Sequence, residues 1–170
     1  MSKKTLFITR TAALLALLVV LQAITKSAGQ IVTGSCVNAV LSLSALLCGF
    51  WSGLIVALVS PFLAFLLGIG PKVIAIVPAI ALGNLALVAV LCAKKGDGLP
   101  RRALQWICAS ASKFAVLYLL VVQLLCRVLT LPEKQLATFG AMFSWPQLIT
   151  ALIGSGVILL AMPVLKKAIR

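Results

Sequence analysis

Histidine is absent, and the chain of 170 residues holds two carboxylates, Asp97 and Glu133, against fifteen lysines and arginines. Each shortage removes a class of function. Without histidine or paired acids there is no general acid–base couple and no nucleophile beside its base, so no catalytic residue is expected. Proton-coupled transport is disfavoured too, because proton relays use intramembrane Asp, Glu or His. The cysteines, Cys36, Cys48, Cys92, Cys108 and Cys126, fall singly in apolar runs with no CxxC spacing. Neither a metal site nor a disulfide framework is expected, and they read as small buried hydrophobes. No GxxxxGK[ST] phosphate loop occurs, so the chain itself is expected to hold no nucleotide cofactor. Aromatics are scarce at 6%, which argues against a large ring stacked between several of them.

What is abundant is apolar surface. Hydrophobic residues make up 63% and mean hydropathy is +1.23, far outside soluble averages, so the chain is expected to be an integral membrane protein. The apolar runs are Leu6 to Ile24, Ile31 to Phe50, Gly53 to Ile69, Val73 to Ala93, Ala103 to Leu129 and Trp145 to Leu165. Each approaches the roughly 20 residues that cross about 30 Å of hydrocarbon at 1.5 Å per residue. The predicted fold is therefore all-α, six transmembrane helices in one bundle, with residues 1–170 forming a single domain. Strands of a β-barrel would instead be short and alternating. The breaks are Lys26 to Gln30, the tight Phe50 to Gly53, Gly68 to Lys72, Lys94 to Arg102 and Thr130 to Ser144. Lys3 and Lys4 ahead of Ala12 to Val20 resemble a secretory signal, but no convincing cleavage site follows and the run is kept as a mature span.

The formal charge of +13 is carried by short clusters at the ends of the apolar runs, where it reads as topology and headgroup contact with the lipid bilayer, not as nucleic-acid binding. With an even number of spans, ten basic residues fall on the terminal side: Lys3, Lys4, Arg10, Lys94, Lys95, Arg101, Arg102, Lys166, Lys167 and Arg170. The other side has Lys26, Lys72, Arg127 and Lys134. The positive-inside tendency therefore predicts cytoplasmic N and C termini.

One basic residue fits neither side. Lys113 lies ten residues past Ala103 and Asn84 eleven past Val73, which puts both about 15 Å deep. Intramembrane cations are rare and mark a pathway or ligand site; the plain alternative is a lysine that snorkels or contacts backbone carbonyls. Asn84 and Lys113 are expected to share a cavity floor. Gln30, Thr33, Asn38, Trp145 and Gln147 are expected above it, lining a pocket that opens outward. For any one amide, an interhelical hydrogen bond is the commoner role. Lys113, with no carboxylate of its own, favours an acidic ligand; a neutral pyrimidine beside an uncharged lysine is the alternative. On the first helix Ala12 and Ala16, with Ala23 on the same face, offer a small-residue surface to a partner helix. Similar spacings elsewhere, such as Ala79 and Gly83, are explained by internal packing. A self-contained channel or facilitator and a purely structural membrane subunit, with Lys113 fixing helix packing, are the competing classes.

Six short spans with both termini inside, Ala12-x-x-x-Ala16 on helix one, and the Gly49-Phe50-Trp51-Ser52-Gly53-Leu54-Ile55-Val56-Ala57-Leu58 turn into helix three together resemble the S component of an energy-coupling factor (ECF) transporter. The resemblance covers nearly the whole chain and rests on architecture more than on an invariant signature. It implies capture of a vitamin or related micronutrient from outside, and association with one membrane coupling protein (the T component) and two ATPase subunits that use the ATP. It implies that Ala12 and Ala16 contact the coupling protein and that the subunit topples in the bilayer to release its cargo. It also implies a pocket recruiting Asn84, Lys113, Trp145 and Gln147, with the loop from Lys26 to Thr33 as a lid.

Overall fold

A computed structural model describes residues 2–93 and 99–168. Lys94, Lys95 and Asp97 of the expected loop, and Arg170, lie outside the described residues. The described chain is all-helical: α1 Lys3–Thr25, α2 Gln30–Leu43, α3 Phe50–Leu66, α4 Val77–Cys92, α5 Leu99–Leu117, α6 Glu133–Met142 and α7 Trp145–Ala168. Two helices widen into π turns without breaking, α2 through Ser44–Cys48 and α5 through Tyr118–Leu125, after which Cys126–Val128 closes the second in α geometry. Five helical stretches are long and apolar enough to cross a membrane. The remaining one, Phe50–Leu66, is apolar but has 17 residues.

The connections follow from local chemistry. Gly49, at φ 88°, is the single residue between the π turn of α2 and the start of α3. Only glycine adopts that backbone freely, so the turn falls at Gly49, and Phe50 to Gly53, expected as the break, are instead the first turn of α3. The stretch Thr130 to Ser144, expected as a plain break, contains α6. Leu136, Phe139 and Phe143 recur at i, i+3 and i+7, one face of a helix, and Phe139 and Phe143 are buried at 7% and 3% exposure. The helix is short and mostly polar on its other face, so hydropathy alone hides it. Glu133 stands in its first turn, where the helix dipole favours an acid.

Packing pairs α2 with α7, α4 with α3 and α5, and α1 with α2 and α3. The α2–α7 contact is the closest. A Cβ added at Gly154 would lie 2.2 Å from the Ser35 carbonyl and 2.8 Å from Asn38 Cβ, so only glycine lets the two backbones approach this far. Gly83 against Leu117 and Gly53 against Val88 do the same for α4–α5 and α3–α4, with a methyl falling within 2.6 and 2.7 Å. Polar ties add direction: the hydroxyls of Thr11 on α1 and Ser52 on α3 meet at 2.9 Å. Gln105 of α5 donates to the Val90, Leu91 and Ala93 carbonyls at 2.8, 3.2 and 3.1 Å, satisfying the end of α4.

Gly154→Ala is expected to push α2 from α7 and destabilise the protein by about 1–3 kcal/mol through overpacking, seen as a lower melting temperature in detergent. Gly140→Ala, where an added methyl meets nothing within 4 Å, is expected to be neutral or slightly stabilising.

Candidate functional site

A cavity of about 260 Å³ opens where the α1–α2 loop, the α3–α4 loop and the α6–α7 turn converge. Of the residues expected at a site, Gln30, Thr33, Asn38, Asn84, Lys113 and Gln147 all line it. Trp145 does not. It is 68% exposed and stacks on Phe114 at 5.7 Å, outside the cavity. The reason is helical phase: Trp145 precedes Gln147 by two residues, about 200° around α7, so when the glutamine faces inward the indole faces away.

The floor is built around Lys113, 3% exposed. Its Nζ donates to Asn38 Oδ1 at 2.6 Å and to Asn84 Oδ1 at 2.7 Å. Neither the snorkelling nor the backbone-carbonyl alternative holds, because the partners are side-chain amide oxygens from α2 and α4. Each amide is turned oxygen-first toward the lysine by what holds its nitrogen. Asn38 Nδ2 donates to Thr150 Oγ1 of α7 at 3.3 Å, and Thr150 in turn donates to the Gln147 carbonyl at 3.2 Å. Asn84 Nδ2 donates to the Ala57 carbonyl of α3 at 3.5 Å. That carbonyl is free because residue 61, four positions on, is a proline inside α3 with no N–H to give. Pro61 thus breaks one helical bond so that Asn84 can be aimed by another.

Two hydrogen bonds cross the mouth, Lys26 Nζ to the Gly68 carbonyl at 2.8 Å and Gln30 Nε2 to the Met142 carbonyl at 2.5 Å, and two are local, Thr33 Oγ1 to the Thr25 carbonyl at 2.7 Å and Gln147 Nε2 to the Met142 carbonyl at 3.1 Å. Among the described residues two cations, Lys26 and Lys113, line the cavity and no carboxylate does. The described acid, Glu133, is exposed on α6. Phe65, Phe143, Ile69 and Ile80 supply apolar wall. Sequence reasoning did not assign Gln22 or Ser60 to the site and gave Lys26 a place only in the lid, yet all three line the cavity. For Ser60 the available signal was a hydroxyl placed directly before a mid-helix proline.

Away from the cavity, Ala12 and Ala16 are exposed on α1 in a strip continued by Leu17, Val20, Ala23 and Ile24. The other small pairs behave differently: Ala79 and Gly83 are buried against neighbouring helices. No group of three or more His, Cys, Asp or Glu able to hold a metal occurs among the described residues.

A bundle of membrane-length helices around a small cation-bearing cavity defines a solute-binding membrane protein. The family model described as ECF transporter, substrate-specific component, matches residues 6–166, and the chain belongs to that family. It is thus a multi-pass membrane protein and a substrate-binding subunit for transport, not an enzyme. Neither curated proteins nor solved structures yield a match.

Pro61→Ala restores an N–H to the helix and lets it take the Ala57 carbonyl from Asn84. Ligand retention is expected to fall about fivefold, the equivalent of one hydrogen bond near 1 kcal/mol, while the melting temperature holds or rises. Paired measurements of retained solute and thermal unfolding check both.

Proposed function

We propose that this subunit captures a small anionic micronutrient from outside the cell and delivers it inward with an ATP-driven partner module. The observation that carries the anion is Lys113, buried and held by two neutral amide oxygens in a cavity without a carboxylate. Hydrogen bonds to a charged group are each worth about 1.5–3 kcal/mol. Desolvating an ammonium costs several kcal/mol. The two amides offset much of that cost but bring no negative charge, and the lysine has a further proton to donate. A carboxylate or phosphate entering the cavity supplies both the charge and the acceptor.

Partner use follows from family membership together with the exposed strip on α1. In this reading Ala12 and Ala16 let a helix of the T component approach closely, two ATPase subunits hydrolyse ATP, and the chain itself needs no cofactor. The fold in the bilayer is six spans, α3 among them, with both termini in the cytoplasm of a prokaryotic cell. The loop from Lys26 to Thr33, hydrogen-bonded to its neighbours, is the lid that parts for the solute.

Mass spectrometry of small molecules extracted from the purified subunit tests the capture step. Wild type is expected to carry an acidic species, and Lys113→Met, which keeps an unbranched chain one atom shorter and removes its charge, is expected to lose at least 90% of it while still eluting as a folded protein. Undiminished retention by Lys113→Met would remove the anion from the proposal. For docking, Ala12→Leu with Ala16→Leu is expected to block uptake and co-purification with the T component while leaving bound solute unchanged; normal assembly of that variant would refute the docking face.

A further inference from the structure

We propose that the cavity wall above Lys113 selects for hydrogen-bond donors, so that the captured solute is a small anion carrying hydroxyl or N–H groups on the end remote from its charge. The inference rests on the anionic reading above and adds a second recognition element to it. Two residues that line this cavity each carry a buried polar atom with no partner within the protein, Ser60 Oγ and Gln22 Oε1. Ser60 is 1% exposed. Buried polar groups are almost always hydrogen-bonded, and each exception requires an explanation. A solute that fills the cavity provides one.

The polarity of the wall is set by the bonds already made. Gln30 and Gln147 each commit one amide N–H to the Met142 carbonyl, and Thr33 commits its hydroxyl proton to the Thr25 carbonyl. Each glutamine keeps its Oε1 lone pairs and one N–H, and Thr33 keeps lone pairs alone. Gln22 Oε1 adds another acceptor, and the Ser60 hydroxyl can accept as well as donate. The floor is the reverse: the oxygens of Asn38 and Asn84 already accept from Lys113, and what remains to give is protons, the third on Lys113 and one N–H on each amide. A donating floor beneath a wall rich in acceptors fixes an orientation, with the anion down and the donors up. At about 260 Å³ the cavity is smaller than the roughly 300–1,000 Å³ of sites for drug-sized ligands, which limits the solute to a compact molecule.

The test uses purified full-length protein and a panel of small hydroxy- and aminocarboxylates, each measured beside its O- or N-methylated counterpart and its methyl ester by thermal shift and calorimetry. At least one donor-bearing acid is expected to bind, its methylated counterpart at least tenfold more weakly. Ser60→Ala is expected to weaken the donor-bearing acid about tenfold and to leave the methylated counterpart unchanged. Gln22→Leu, at a partly exposed position, repeats the comparison independently of Ser60. Equal binding of acid and methylated counterpart, or of wild type and both variants, overturns the donor requirement while leaving the anionic reading intact. Equal binding of acid and ester overturns the anionic reading instead. A panel in which no donor-bearing acid binds overturns both.

Discussion

The structure is organised by one requirement: a lysine buried between helices must be held by neutral groups that come from two other helices. Lys113 belongs to α5, Asn38 to α2 and Asn84 to α4, and the amides reach it only because α1 to α7 pack in one arrangement. Gly154 brings α2 onto α7 closely enough for Asn38 to find Thr150. Gly83 lets α4 lie on α5 at Leu117, one turn beyond the lysine. Pro61 frees the carbonyl that orients Asn84. Breaking one partner of a buried charge leaves it uncompensated and costs far more than the bond itself contributes. The small residues of the bundle therefore act on the site as well as on the packing.

Much of this was readable in the residues, and the parts that were not have physical causes. Hydropathy located the long helices because lipid demands nearly continuous apolar runs. Rise per residue put Asn84 and Lys113 at one depth, and they meet at 2.7 Å. Asn38, expected higher in the pocket, joins them on the floor, since depth along one helix does not give the tilt of another. Trp145 faces out because an apolar run does not fix its own rotation about the axis. The helix α6 was hidden by its polar face, and Ser60 by its small size among apolar neighbours. The orientation of both asparagine amides depends on which carbonyls and hydroxyls are left over in three dimensions, and no linear pattern records that.

The two faces of the molecule divide the work of a transport subunit. One end of the bundle carries the cavity, bordered by loops that are joined across its mouth by few hydrogen bonds, Lys26 to Gly68 and Gln30 to Met142. Local opening draws on such weakly held regions. The α1 strip, by contrast, is apolar, small-sided and uncovered along several turns, whereas the small residues of α3 and α4 are spent inside the bundle. In the function proposed above, the energy comes from a partner, and the uncovered strip is where that partner acts.

The Met142 carbonyl accepts from two glutamines that lie more than a hundred residues apart in the chain. Either one alone keeps that oxygen satisfied. A change at Gln30 or at Gln147 therefore alters the shape and polarity of the wall without stranding a buried acceptor, and the turn between α6 and α7 keeps its anchor. The duplication gives the protein latitude: the surface that meets the solute can drift one position at a time while the scaffold beneath stays intact.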